Sequence, residues 1–221
     1  RNVKRWTIEN PRMWIIYAPW DFDLEAYPSI KAHLHQFIEP LKARPDVKGG
    51  RYPWYALRRF GANFAADFIK PKIVYSEFGL RPEFAFDSHG FFLTNKLFTI
   101  PKEDFYLLGV LNSEVTHFVL RLTASSIRGG YIEFRGVTIE HIPIPNPVAN
   151  LRDKIAAKAR ACLDAAAQGN AARVTALEGE LNGLVYQAYG LTDEEISVIE
   201  GSIKGHNRQK DAPKGEGNEE L

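Results

Sequence analysis

The segment Pro143-Ile144-Pro145-Asn146-Pro147 divides the chain. Three prolines in five residues remove three backbone donors, so the stretch runs neither as helix nor as a central strand. Its two flanks differ in kind. Residues 1–150 hold 25 of the 27 aromatics and 12 of the 13 prolines, a composition of strands, turns and short helices. Beyond that point the chain is Ala-rich and reads as helix. The fold class predicted is α+β. A mixed domain of strands and short helices occupies residues 1–147. An antiparallel helical hairpin with one short helix follows over 148–200, then a disordered tail over 201–221.

Outward on the C-terminal side, Val148 to Ala167 places Leu151, Ile155, Cys162 and Leu163 on one side of a helix. Gln168-Gly169-Asn170 is a turn. Ala171 to Tyr189 brings Val174, Leu177, Leu181, Leu184 and Ala188 to a/d-like spacing, so the two helices pair as a hairpin. Gly190 ends the second helix. Thr192-Asp193-Glu194-Glu195 is a capping box that opens a last short helix carrying Ile196 and Ile199. From Gly201 the chain turns to Gly, Lys and Glu with few apolar residues, which predicts the disordered tail.

On the N-terminal side, Trp14-Ile15-Ile16-Tyr17, Lys72-Ile73-Val74-Tyr75 and Gly90-Phe91-Phe92-Leu93-Thr94 read as strands. Gly130 to Phe134 alternates as a half-buried strand. Ser29 to Lys42 reads as one helix, with Ile30, Leu34, Phe37, Ile38 and Leu41 on its apolar face. Lys102 to Arg121 reads as two short helices. Leu107, Leu108 and Leu111 serve the first, and Val115, Phe118, Val119 and Leu122 the second.

Composition excludes several classes. With 45% hydrophobic and 25% charged residues over 221 positions, the chain has the balance of a folded domain. No apolar run approaches a membrane span. The single Cys162 rules out a disulfide framework and a thiolate zinc cluster, fits a reducing compartment and predicts a cytoplasmic protein. The first residue is Arg1 and no signal-peptide pattern follows, so the chain is expected to begin inside a longer protein.

No catalytic constellation emerges. His33 and His35, two apart, diverge on a helix and form no metal pair. There is no P-loop and no Gly-rich loop between strand and helix. Pro45-Asp46 would suit a metal-dependent nuclease only with a later acidic-x-Lys triplet, which the region lacks. Cys162 on an apolar helix face reads as core. The expected catalytic and metal sets are therefore empty.

What stands out is cations among aromatics. Lys42, Arg44, Lys48, Arg51, Arg58, Arg59, Lys70 and Lys72 fall in a stretch whose only acids are Asp46 and Asp67, with Tyr52, Trp54, Tyr55 and Phe60 between them. Such a cluster can neutralise phosphates and read guanine edges. It can equally be a solvated face with Trp54 and Tyr55 in the core, and the residues alone leave both open. The loop Ser125-Ser126-Ile127-Arg128-Gly129-Gly130-Tyr131 offers hydroxyls, a guanidinium and backbone amides to a phosphate, or serves as a plain turn.

These pieces stand in a familiar order. The chain resembles the C-terminal target-recognition region of TaqI/Eco57I-like adenine-specific DNA methyltransferases, including fused type IIG restriction–modification enzymes. The residues that carry the resemblance are Asn2 to Trp6, Tyr27 to Leu34, Trp54 to Arg59 and Lys70 to Tyr75. Leu107 to Ser113, Ser125 to Tyr131, Ile139 to Pro145 and Val185 to Thr192 complete the set, which covers about residues 1–200.

The resemblance implies a double-stranded DNA recognition module whose partner is its own upstream methyltransferase domain. S-adenosylmethionine and the Asn-Pro-Pro-Tyr/Phe motif belong to that domain. Neither Asn10-Pro11-Arg12 nor Asn146-Pro147-Val148 matches the motif, so no cofactor is expected in this chain. From residue chemistry, the expected phosphate contacts are Lys4, Arg5, Lys31, Lys70, Lys72 and Arg128, with Ser125 and Ser126 assisting. The expected base readers are Arg51, Arg58 and Arg59, since Arg can pair with guanine O6 and N7 together, although adjacent Arg58 and Arg59 cannot both face one way. A protein-interaction module built on the acidic hairpin is the alternative, and a nuclease fragment a third.

Overall fold

A computed structural model of the chain describes residues 2–10, 12–63, 65–127 and 129–211, with backbone alone from residue 205. The chain opens with a two-stranded ribbon, Val3–Lys4 (β1) and Thr7–Ile8 (β2). Four short helices follow: Pro28–His35 (α1), Ile38–Lys42 (α2), Pro45–Lys48 (α3) and Ala65–Phe68 (α4). Next come strands Lys72–Ser76 (β3), Phe78–Gly79 (β4), Phe84–Asp87 (β5) and Leu97–Ile100 (β6), then helices Phe105–Leu111 (α5) and Glu114–Thr123 (α6). Strands Ser126–Ile127 (β7) and Tyr131–Glu133 (β8) and helix Gly136–Glu140 (α7) lead to the proline segment. Three long helices close the described chain: Ala149–Ala167 (α8), Ala171–Tyr189 (α9) and Asp193–Asp211 (α10). This is the mixed architecture expected, with small antiparallel sheets before the prolines and helices after them.

The organising strand is β3, central in the order β5-β3-β6 and buried along its whole length. Side chains alternate across a strand. Ile73 and Tyr75 therefore join Phe84 in the main core, while Val74 turns to the other face with Val3 and Ala85. The second sheet, β4-β8-β7, includes the predicted strand at Tyr131–Glu133.

Segment Leu107 to Ser113 joins the sheets to the hairpin. A Cβ at Gly109 would meet Ile155 Cγ2 at 3.1 Å, Ala159 Cβ at 3.3 Å and Leu181 Cδ1 at 3.3 Å. Any larger residue would push these side chains back by a few tenths of an ångström, so glycine favours the close approach of α5 to α8 and α9. Buried Asn112 pairs with strand β5 as another strand would. Its Nδ2 donates to the Phe84 carbonyl at 2.9 Å, and the Phe84 amide donates to its Oδ1 at 3.0 Å. Asp104 and Ser113 cap α5 and α6.

The hairpin forms as predicted, with Gly190 in the left-handed region at φ 68°. It is tied back to the N-terminal ribbon, since Glu178 on α9 accepts Trp6 Nε1 at 2.5 Å and pairs with Arg5. Two tyrosines hold the proline segment: Tyr106 donates to the Pro145 carbonyl and Tyr189 to that of Pro143.

Four expectations change. Trp14 to Tyr17 has no ladder partner and is not a strand; Trp14 is 99% exposed. Ser29 to Lys42 is two helices, because the Pro40 ring would clash with a carbonyl one turn back in a continuous helix. Pro40 instead sits in the first turn of α2, where no amide donor is needed. Phe91 to Thr94 is irregular, and the strands are Phe84–Asp87 and Leu97–Ile100. Asp87 turns the chain between them by accepting the His89 and Phe91 amides at 2.8 and 2.9 Å. The last helix runs beyond Gly201 to Asp211 because Ile203 continues the stripe begun by Ile199, both buried, while Arg121 on α6 donates to the Ser202 carbonyl at 2.7 Å. Residues 212–221 of the expected tail lie outside the described residues.

Candidate nucleic-acid interface

The cations and aromatics of residues 17–60 form a small lobe in which the rings pack on one another, with Trp20 and Tyr27 still exposed. Trp20 stacks on Tyr52 with centroids 5.4 Å apart and meets Phe60 edge-on at 5.8 Å. Phe22 stacks on Tyr27 at 5.1 Å, and Trp54 lies against His35 and Tyr55. Their polar tips close on backbone: Trp20 Nε1 donates to the Leu57 carbonyl at 2.9 Å, and Tyr55 Oη to that of Phe22 at 2.9 Å. Trp54 and Tyr55 are half-buried, so the aromatics of this stretch hold the lobe together.

Arg44 belongs to the same framework. Its Nε donates to the Leu41 carbonyl at 3.0 Å, and Nη2 donates to the carbonyls of Trp54 and Ala56. Its guanidinium lies 5.4 Å from the Tyr52 ring. A guanidinium with several donors in a fixed fork can gather carbonyls that no strand pairs. The cation joins the α2–α3 turn to the 52–56 segment.

Asp46 organises the exposed cations. Its Oδ1 takes Arg51 Nη1 at 3.1 Å and its Oδ2 takes Arg58 Nε at 2.8 Å. Two of the three expected base readers therefore stand side by side on one carboxylate, and Arg59 is exposed next to them. Counting charge along the stretch could not reveal this, because Asp46 has the two arginines five and twelve positions ahead on a turn that only the lobe closes.

The expected phosphate contacts divide. Lys4 is exposed on the β1–β2 ribbon beside Glu9, Lys31 pairs with Glu25 at 2.5 Å, and Lys70 pairs with Asp67 at 3.0 Å. Ser125 and Ser126 are exposed at β7. Arg128 lies outside the described residues. Each of these three lysines has a carboxylate partner other than Asp46.

Arg5 and Lys72 correct the expectation. Lys72 is fully buried, opposite Asp87 in the β3–β5 register, with Nζ 2.5 Å from Oδ2. The Arg5 side chain is 9% exposed, paired with Glu178 at 2.5 Å and donating to the Asn112 carbonyl. Burial lowers the Arg5 pKa from its ordinary value, and the Glu178 carboxylate opposes that shift. Both cations neutralise internal carboxylates.

Beside Arg5 a cleft of about 620 Å³ opens between the sheets and α9. Its lining mixes Arg81 with Glu83, Glu114 and Glu178. Among the described residues no group of three or more His, Cys, Asp or Glu is placed to hold a metal ion. No described helix is long and apolar enough to cross a membrane. Cys162 is buried, and burial pushes its thiol up to about 12.

Comparison with known proteins adds two findings. The TaqI-like C-terminal specificity domain family matches residues 1–144. Among solved structures, the type IIL restriction-modification enzyme MmeI, determined in complex with DNA, is similar at TM-score 0.57 and 14% identity. That likeness is one of fold. It covers 84% of this chain and 27% of the MmeI chain. The comparison with curated proteins gives no match.

Proposed function

The chain belongs to the family of TaqI-like C-terminal specificity domains, and on that premise we propose that it reads double-stranded DNA sequence for a restriction–modification enzyme. In this reading the parent is a bacterial adenine-N6 DNA methyltransferase acting in the cytoplasm. An upstream domain binds S-adenosylmethionine and the flipped adenine. The present chain grips the flanking duplex and sets its register.

A division of this kind has a physical basis. A flipped base enters a pocket that reads one base and little of its context. Specificity for the flanks must come from side chains that reach base edges, while phosphate contacts fix position. The single observation that carries the proposal is the Arg51–Asp46–Arg58 group: two exposed guanidinium forks held together, each of a shape that can pair with guanine O6 and N7. Arg59 is the third candidate reader. Lys4, Lys31 and Lys70, with Ser125, Ser126 and Arg128, are the proposed phosphate contacts. Arg5 and Lys72 are withdrawn from that set because their charges are buried.

Titration of the chain against duplex DNA over a range of salt tests the proposal. Neutralising four to six phosphates at about 0.9 per phosphate gives a slope of log K against log salt of roughly −4 to −5. A protein-interaction module would bind duplex weakly or not at all, without that slope. Absence of binding at low salt would remove the DNA reading.

A further inference from the structure

Asp46 is an acid inside the most basic stretch of the chain, where a negative charge opposes phosphate binding. Its setting is specific. Pro45 occupies the first turn of α3 and Asp46 follows it. The Arg51 amide donates to the Asp46 carbonyl at 2.9 Å, so the backbone of one arginine is tied to the same turn as its ion pair. The Asp46 side chain is 22% exposed, whereas those of Arg51 and Arg58 are 65% and 67% exposed. The carboxylate is recessed and the two cations project past it. Arg58 gives Nε to Asp46, which leaves its two Nη groups to fork a base edge; Arg51 gives Nη1.

We propose that Asp46 is a specificity-determining positioning residue, which holds Arg51 and Arg58 side by side for guanine edges and weakens their attraction to phosphates. The proposal rests on the duplex-recognition reading above. An arginine free in solvent must lose rotamer freedom before it forms a bidentate contact, and a carboxylate that orders it in the free protein removes part of that cost. The same negative charge lies within a Debye length of any phosphate the two arginines could reach, so it discourages contacts that carry no sequence information.

The test uses the 221-residue chain and a library of randomised duplexes. Wild type is expected to select a motif containing G·C pairs. Asp46→Asn keeps the side-chain shape and the Arg51 amide bond while removing the charge. Its discrimination between the selected and a scrambled duplex should fall by about 5- to 150-fold, the worth of one bidentate guanine contact. Its affinity for the scrambled duplex should hold or rise about twofold, from one charge removed at about 8 Å in water. Arg58→Lys, which keeps the charge and loses the fork, should lose selectivity at the same positions. Arg58→Lys added to Asp46→Asn should lose little more, since the two act through one contact. Melting midpoints confirm that each variant is folded.

Asp46→Asn selecting the wild-type motif with undiminished discrimination overturns the proposal while leaving the recognition reading in place. So does an equal fall on both duplexes. An unfolded Asp46→Asn with undiminished discrimination in Arg58→Lys overturns it too, because the pair would then be structural. A wild-type chain that selects no motif removes the recognition reading and the proposal together.

Discussion

Replacing Lys72 by methionine separates an internal role from a DNA-contacting one. Lys72 and Asp87 face each other across β3 and β5 with no exposure, Nζ 2.5 Å from Oδ2, and Lys72 also donates to the Phe68 carbonyl. Methionine fills much of the stem volume but leaves Asp87 buried without its counter-ion. Breaking a buried pair from one side costs about 3–5 kcal/mol. Asp87 keeps two amide donors, from His89 and Phe91, so the lower end applies, about 3 kcal/mol. For a chain of this size that lowers the melting midpoint by roughly 6–12 °C.

Urea denaturation of Lys72→Met measures the stability loss, and a salt titration of DNA binding below the transition measures the contact count. The slope of log K against log salt should not change. The double variant Lys72→Met/Asp87→Leu removes both charges and should recover part of the loss. Recovery stays incomplete, because the His89 and Phe91 amides lose the acceptor that fixes the turn between β5 and β6. A Lys72→Met protein within about 0.5 kcal/mol of wild type, with a slope shallower by about 0.9, refutes the reasoning and returns Lys72 to the DNA surface.

Asn112→Ala removes the side chain that pairs with both backbone groups of Phe84 and should cost about 2–4 kcal/mol in urea denaturation; a loss under 1 kcal/mol would mean the β5 edge finds other partners. Gly109→Val forces branched methyls against Ile155, Ala159 and Leu181 and should cost about 1–3 kcal/mol, exposing the hairpin to proteolysis, whereas unchanged protease resistance would contradict the close approach of α5. Cys162, buried and with its thiol pushed up to about 12, stays protonated at neutral pH, so alkylation at pH 8 should require unfolding, and rapid labelling of the native chain would place it elsewhere.

The helical half of the chain was legible because its signals are local. Apolar spacing marks α5, α6, α8 and α9, Gly190 marks a left-handed stop, and three prolines mark the boundary. Residues Lys72–Ser76 also read as a strand, since a strand buried on both faces is a short apolar run whatever surrounds it. Apolar runs at 14–17 and 90–94 looked the same and are not strands, because a strand requires a partner and pairing is not written in the run itself. The site divides along the same line. Composition located the cations but not their exposure. Lys72 and Arg5 are buried because Asp87 and Glu178 come to meet them from β5 and from the distant α9. Arg51 and Arg58 are paired because a turn brings Asp46 beneath both. The sequence alone determined the elements whose stability is a matter of neighbours in the chain. The tertiary structure decided which charges are satisfied internally and which remain exposed, because a charge can be buried only where the fold delivers its partner.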